Sequence, residues 1–484
     1  MYGNCTPMYG AMKLYIDMEG RSLKLLVIGG GPGGYVAAIR GAQLGADVTL
    51  VERWHLGGTC LNVGCIPTKA LLHTAELYEA AKGGADSGVI AQVRLDFGRA
   101  QAKKAQIVFQ LVGGIQGLLA ANKVNVISGT ARFSGPGAVE VAMKDGRTQK
   151  LEADRIIVAT GSVPVRPPVP GIDLKCCMDS TGALALEQVP RSMVIIGGGV
   201  IGVEMATLYA ALGCNVTIVE ILDRILPMLD GEITRMVRGT LECKGITIHT
   251  GTKVLAVKDS GGHAVVEMED ASGKRQLKAE TVLYSTGRAP DNKAVAPEAA
   301  GIRTVCGRIL VNDRQETNVP GIYAVGDCIG SVMLAHVASI QGEIAAENAV
   351  GGDSRYDGRT NPSCVYTAPE CAGVGITEED AKQQQIEVVV GRFPLAANGR
   401  AQIMGEGGIV KIIAGKQYGE VLGVHIVGPR ATDLIAEGAL AIGAEATLDE
   451  MIETIHAHPT VAEAIREASL AAWDRAIHTV NKHN

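Results

Sequence analysis

Excess positive charge, aromatic rings and long apolar runs are all scarce in this sequence. Lys plus Arg number 45 against 51 for Asp plus Glu, a net charge of −6. Binding to nucleic acid or to an anionic membrane surface needs concentrated positive charge, and no basic run supplies it. No stretch approaches the ~20 consecutive apolar residues of a membrane span. Residues 1–24 also lack the apolar core, roughly 7–15 residues long, of a signal peptide. The 11 cysteines are odd in number and scattered, unlike the dense framework of a small secreted scaffold. These absences point to the cytoplasm, where a disulfide is expected to be a working redox pair rather than a staple. Residues 1–21 read as an N-terminal extension.

Glycine, by contrast, is abundant: 62 of 484 residues, against a typical ~7%. No Gly-X-Y period accompanies it, which excludes collagen. The excess must sit in loops where only glycine fits. At about 150 residues per domain, the length implies about three domains. The aromatic share of 4% suits helices packed on strands through small residues.

An internal repeat gives part of the glycine its place. Residues 27–52, VIGGGPGGYVAAIRGAQLGADVTLVE, align with residues 195–220, IIGGGVIGVEMATLYAALGCNVTIVE, with 13 of 26 positions identical. Each copy reads as an apolar strand, a glycine turn, a small-residue helix and a second strand ending in Glu. Gly29, Gly31 and Gly34 in the first copy, and Gly197, Gly199 and Gly202 in the second, fall at G-x-G-x-x-G spacing. The first glycine makes the tight turn, the second lets backbone approach a pyrophosphate, and the third lets helix pack on strand. The helix N-terminus then offers N–H groups to phosphate. Glu52 and Glu220 end the second strands, where a carboxylate accepts hydrogen bonds from ribose hydroxyls. One such motif is weak; two, each with its strands and acid, predict two Rossmann-like dinucleotide-binding domains. Glu220 favours NAD(H) over NADP(H), because a carboxylate repels a 2′-phosphate, although Arg224 lies close by in sequence.

Further strand ends carry polar or glycine punctuation: RIIVATGS at 155–162, VLYSTGR at 282–288 and TNVPGIYAVGD at 317–327. Asp327 there is placed to take a sugar-chain hydroxyl, or else to cap the segment that follows. Residues 57–69, GGTCLNVGCIPTK, hold Cys60 and Cys65. In a regular helix such a pair points about 140° apart, so a bond between them requires a broken helical start. By spacing alone the two could be reduced core cysteines. A zinc pair lacks the second Cys-x-x-Cys it would need. Their position directly after a dinucleotide unit favours a redox pair beside a flavin.

Taken together, these motifs and the C-terminal HAHPTVAE at 456–463 resemble the pyridine-nucleotide disulfide oxidoreductases over residues 22–480. The resemblance implies an α/β fold with FAD-binding and NAD-binding domains and a C-terminal α+β dimerisation domain. Its expected boundaries are 22–165 for the FAD domain, 166–290 for the NAD domain, 291–358 for a central segment completing the first, and 359–484 for the interface. It implies that Cys60 is the interchange thiol and Cys65 the charge-transfer thiol beside the flavin. Lys69 is expected near flavin N5, paired with Glu204. FAD contacts carry over to Gly58, Thr59, Ala131, Thr160, Gly161 and Ser162, to Asp327 on the ribityl chain, and to Met333, Leu334, Ala335 and His336. NAD contacts carry over to Glu204, Val254 and Gly287.

A thiol near pKa ~8.5 attacks only as thiolate, so dithiol oxidation needs an adjacent base. The family pattern assigns this to His458, oriented by Glu463 and acting on the other subunit of a homodimer. A structural reading coexists: Thr460 and Glu463 have the spacing of a helix capping box. His456 reads as support, and the neighbours Cys176 and Cys177, expected to face apart, receive no role. Val200 stands where glutathione reductases carry a gating tyrosine, which favours the branch that oxidises dihydrolipoamide or lipoylated carrier domains. Val337 departs from the lysine many members of that branch carry. No cysteine follows residue 371, against a mercuric reductase. The rivals are an NADH-dependent reductase of another disulfide and a docking component of a 2-oxoacid dehydrogenase or glycine-cleavage complex. No nucleic acid, membrane or metal is expected.

Overall fold

The computed structural model describes residues 22–481, so the extension expected at 1–21 lies outside the described residues. The chain forms two compact units. Among the described residues, one comprises those up to Pro67 together with Ala105–Val163 and Arg288–Asp357; the other comprises Thr68–Lys104, Pro164–Gly287 and those from Gly358 onward.

The first unit is built on a seven-stranded sheet. Its order is Ile322–Ala324, Arg155–Val158, Lys24–Ile28, Asp47–Glu52, Asn125–Gly135, Ala138–Met143 and Thr148–Glu152. The first five strands run parallel, and the last two continue as an antiparallel meander. The strand KLLVI is buried at four of its five positions, as a parallel strand covered on both faces must be. Successive side chains alternate between faces. Leu26 and Ile28 therefore join the core containing Phe133 and Val158, while Leu25 and Val27 join another containing Ala37 and Leu50. Strand Ile322–Ala324 reaches this sheet from a distant part of the chain by pairing with Arg155–Val158.

The second unit repeats the theme. Thr247–His249, Asn215–Val219, Ser192–Ile196, Thr281–Tyr284 and Cys177–Met178 form a parallel five-stranded sheet in that order. Met193 and Ile195 enter one core, Val194 and Ile196 another. The same unit holds an antiparallel sheet of Ser363–Val365, Cys371–Gly375, Val421–Val427, Ile409–Gly415 and Val388–Pro394. Helices Ala431–Gly443 and Glu463–Ala472 share its apolar core.

Two local expectations are corrected. The side chains of Cys176 and Cys177 pack against the same apolar cluster instead of facing apart; the Cys177 thiol lies 3.6 Å from the Gly171 carbonyl, and its N–H closes a turn on the Leu174 carbonyl at 2.8 Å. Thr460 does not complete a capping box. Its hydroxyl donates to the Ala457 carbonyl at 2.7 Å, and the helix starts at Glu463 with Ala462 as its cap residue. No helix among the described residues is long and apolar enough to cross a membrane.

Candidate active site

The two glycine turns superpose in their backbone angles. Gly29 and Gly197 take φ of 105° and 114°, a region costly for any side chain. A Cβ on Gly34 would lie 1.8 Å from the Gly29 carbonyl oxygen, and one on Gly202 would lie 2.0 Å from that of Gly197. Those glycines are demanded by packing of helix on strand. Gly31 and Gly199 are different: both are extended, with φ of −72° and −75°, which any residue adopts. A Cβ on Gly199 would meet nothing within 4 Å, and one on Gly31 only Gly58 Cα at 3.9 Å. Protein packing gives no reason for glycine there, whereas a pyrophosphate resting on the helix N-terminus does. The residues present therefore fit two dinucleotides.

The two terminal acids match as well. Glu52 accepts the N–H groups of Gly30 and Trp54, both at 2.6 Å. Glu220 accepts those of Gly198 at 2.5 Å and Leu222 at 2.7 Å. Each carboxylate is thus tied to its own glycine turn, with lone pairs left for further donors. The guanidinium of Arg224 is turned to the Pro227 carbonyl at 3.2 Å and to Glu379 at 3.7 Å, a set of partners other than a nucleotide phosphate. Val254 and Ala131 are buried in strands, so their side chains serve the core. Gly287 takes φ of 108°, and its carbonyl accepts Val165 N–H at 2.9 Å.

The cysteine segment is broken where the chemistry needs it broken. Helix Gly58–Val63 carries Thr59 and Cys60 and ends at Gly64 (φ −136°, ψ −111°); helix Cys65–Gly83 then starts afresh. Tyr35, half-buried, has its phenol pushed up by burial and by the neighbouring Cys60. One turn past Cys65, the Lys69 ammonium donates to both oxygens of Glu204, at 2.9 and 2.7 Å. Glu204 is 4% exposed, so this is a buried carboxylate held by its partner. Its Oε1 also accepts Tyr366 N–H at 3.0 Å, a contact with no signal in the sequence.

Around Asp327, the Ser162 hydroxyl donates to its carboxylate, and Arg288 donates to the Ser162 hydroxyl and carbonyl, both at 2.7 Å. Thr160 donates to Asn292 at 2.7 Å beside Gly161, which takes φ of 74°. Asp327 caps nothing: the short helix Gly326–Ile329 has no side-chain cap. Met333 and Leu334 lead into helix Ala335–Ala349, which also starts without one and places Ala335 and His336 in its first turn.

At the C-terminal end, Glu463 accepts from His458 Nδ1 and from Thr460 N–H, both at 2.9 Å. Burial would raise the Glu463 carboxyl, but those two donors outweigh it and hold it below the usual carboxylate range. A carboxylate at Nδ1 favours the tautomer with its proton there, which puts the lone pair on Nε2 of a largely exposed imidazole. His456 is buried against Glu437 at 2.8 Å, a supporting contact.

Residues 23–342 match the family model of the pyridine nucleotide-disulphide oxidoreductases, and residues 361–469 match that family's dimerisation domain. A mitochondrial dihydrolipoyl dehydrogenase of Pisum sativum is 43% identical over 94% of this chain and 92% of its own length. A dihydrolipoyl dehydrogenase of Thermus scotoductus is 42% identical over 96% of this chain and 100% of its own. The crystal structure of LpdA from Mycobacterium tuberculosis superposes with a TM-score of 0.87 at 28% identity, covering 92% of this chain and 99% of that one. The chain belongs to the pyridine nucleotide-disulphide oxidoreductase family.

Proposed function

We propose that this chain is a flavoprotein that oxidises dihydrolipoyl groups to lipoyl groups, with NAD⁺ as the final acceptor. The observation that carries the reading is the segment from Gly58 to Lys69, where a broken helix presents two cysteines one turn before a lysine clamped by Glu204. Identity of 42–43% to dihydrolipoyl dehydrogenases over nearly the full length supports the substrate class.

Residues of this chain divide the work. Gly29, Gly31, Gly34, Glu52, Gly58, Thr59, Thr160, Gly161, Ser162 and Asp327 would hold FAD, with the turn from Met333 to His336 set against its ring. Gly197, Gly199, Gly202, Glu220 and Gly287 would hold NAD(H). Ala131 and Val254 contribute through backbone alone, since their side chains are buried. When bound, FAD supplies the two-electron relay between a dithiol and NAD⁺.

The thiol chemistry belongs to the protein. His458 Nε2 takes the proton of a substrate thiol, and the resulting thiolate attacks Cys60 of the Cys60–Cys65 disulfide, releasing Cys65 as thiolate. The second substrate thiol displaces Cys60 from the mixed disulfide, closing the lipoyl ring and leaving the enzyme dithiol. Glu463 keeps the imidazole oriented and stabilises its cation. Lys69, held by Glu204, keeps a positive charge one helical turn from Cys65.

Within the family pattern His458 serves the partner subunit, so a homodimer is the working unit, and residues 361–469 match a dimerisation domain. Lipoylated carrier domains of a 2-oxoacid dehydrogenase or glycine-cleavage complex are the proposed partners, and the cytoplasm the proposed location. Cys60→Ser tests the mechanism: the variant should keep FAD and lose turnover of dihydrolipoamide. Parent rates in that variant would refute the role of Cys60. Comparing lipoamide with coenzyme A and peptide disulfides, using NADH as donor, checks the substrate class.

A further inference from the structure

Lys69 sits on a four-carbon stem, and a carboxylate alone leaves such an ammonium freedom to swing. Glu204 takes it through both oxygens at 2.9 and 2.7 Å. A third restraint closes the arrangement: Nζ lies 4.4 Å from the centroid of the Tyr366 ring. The same tyrosine gives its backbone N–H to Glu204 Oε1 at 3.0 Å. One residue thereby grips both halves of the ion pair, the cation by its ring and the anion by its main chain.

Tyr366 is itself held in place. It follows strand Ser363–Val365, whose Val365 is fully buried and paired with Cys371. Its phenol neighbours Thr432. Thr432 is fixed in turn by Glu370, which accepts its N–H at 3.0 Å and its hydroxyl at 2.7 Å. The ring is thus a pre-set platform, and a cation over an aromatic face is attracted by the ring quadrupole. An aliphatic side chain of similar size would fill the space without that attraction.

We propose that Tyr366 is a positioning residue for electron transfer: its ring and N–H fix where the Lys69 charge lies, and so set the electron affinity of the bound flavin. This rests on the reading that Lys69 faces the flavin. A residue that merely packed would change stability and leave that affinity alone.

The test uses the FAD-loaded, full-length enzyme and reads the flavin's reduction equilibrium against a dye of known potential. Tyr366→Leu should lower the equilibrium constant for flavin reduction about three- to tenfold, the range of a partly desolvated cation–π contact. The long-wavelength thiolate-to-flavin absorbance should weaken with it. Tyr366→Phe keeps the ring and should restore both. Lys69→Met should shift the equilibrium in the same direction and further. An unshifted Lys69→Met would refute the reading of Lys69 itself. A shifted Lys69→Met with an unshifted Tyr366→Leu would overturn the role of Tyr366 alone. Should the leucine variant fail to fold, phenylalanine at position 366 with increasing ring fluorination keeps the volume while draining the quadrupole. A graded fall supports the proposal, and a flat response overturns it.

Discussion

Gly199→Ala should separate folding from nucleotide binding at a single atom. Gly199 has φ −75° and ψ −176°, a conformation alanine adopts without strain. The added Cβ would meet no protein atom within 4 Å. Two small effects on stability oppose each other. Alanine is a poorer N-cap than glycine, while loss of glycine's freedom in the unfolded chain stabilises by about 0.4–1 kcal/mol. The net change should stay within about 1 kcal/mol. Binding is another matter, because the methyl occupies the space through which phosphate would reach the first N–H groups of helix Val200–Ala211. Losing one hydrogen bond to a charged group costs about 1.5–3 kcal/mol, so NADH affinity should fall about 10- to 100-fold. NADH titration, thermal unfolding and flavin content on the same preparation decide the matter. The expected result is weak NADH binding with normal FAD content and an unmoved melting transition. Unchanged NADH affinity would refute the assignment of this turn. Gly202→Ala is the contrasting control: its Cβ would lie 2.0 Å from the Gly197 carbonyl oxygen, so that variant should lose stability as well.

Other variants test the remaining ionic arrangements. Lys411, 1% exposed, donates to Asp230 at 2.8 Å and lies 2.7 Å from Glu378, so Lys411→Met should destabilise by about 3–5 kcal/mol in denaturant unfolding. Burial would raise the Asp230 and Glu378 carboxyls, but Lys411 outweighs it and lowers both; their contribution is present above about pH 4 and lost as pH falls through the depressed values. Burial would lower Lys411, but its carboxylate partners raise it, so its contribution is full below about pH 10.5 and lost as pH rises through the raised value. Stability profiles of parent and variant should therefore converge at both extremes, and a constant gap across pH would contradict this. Glu463→Gln should keep FAD and lower kcat roughly 10²-fold, since the imidazole loses the carboxylate that holds its tautomer; a kcat within twofold of the parent's would exclude the orienting role.

What could be read in the sequence was chemistry that the backbone dictates locally. The glycine turns, the acids ending each second strand and the break at Gly64 each follow from steric demands within a few residues. The His458–Glu463 bond spans only five positions, but its catalytic reading comes from the family pattern. Lys69 and Glu204, 135 residues apart, were paired only through family resemblance. Lys411 and Asp230 are 181 residues apart, and neither periodicity nor spacing marks them. Tyr366 carries no mark in the sequence, because its contribution is a ring face and a main-chain donor, neither of which any motif records. The Thr460 capping box is only half made: Glu463 reaches back to Thr460 N–H, but the Thr460 hydroxyl donates to the Ala457 carbonyl instead of accepting a helix N–H.

The two copies of the repeat also differ in a way that bears on their work. Both turns are tied down alike, with Gly30 and Gly198 carbonyls accepting the N–H groups of Gly57 and Leu226 at 2.8 and 2.9 Å. In the first copy the segment so tied brings a second backbone over the turn. Gly58, at φ 56°, lies so close that a Cβ on it would sit 2.8 Å from Gly31 Cα. Only a glycine at position 58 permits that approach. The second copy has no such cover, for the space in front of Gly199 is open to 4 Å. A dinucleotide at the first turn would be flanked by the very residues that lead into Cys60, whereas one at the second would meet no such segment within 4 Å of Gly199. A resident FAD and an exchangeable NAD(H) are what that difference in cover would produce. A side chain at position 58 should therefore cost FAD retention before it costs NADH affinity, which flavin release on dilution would measure.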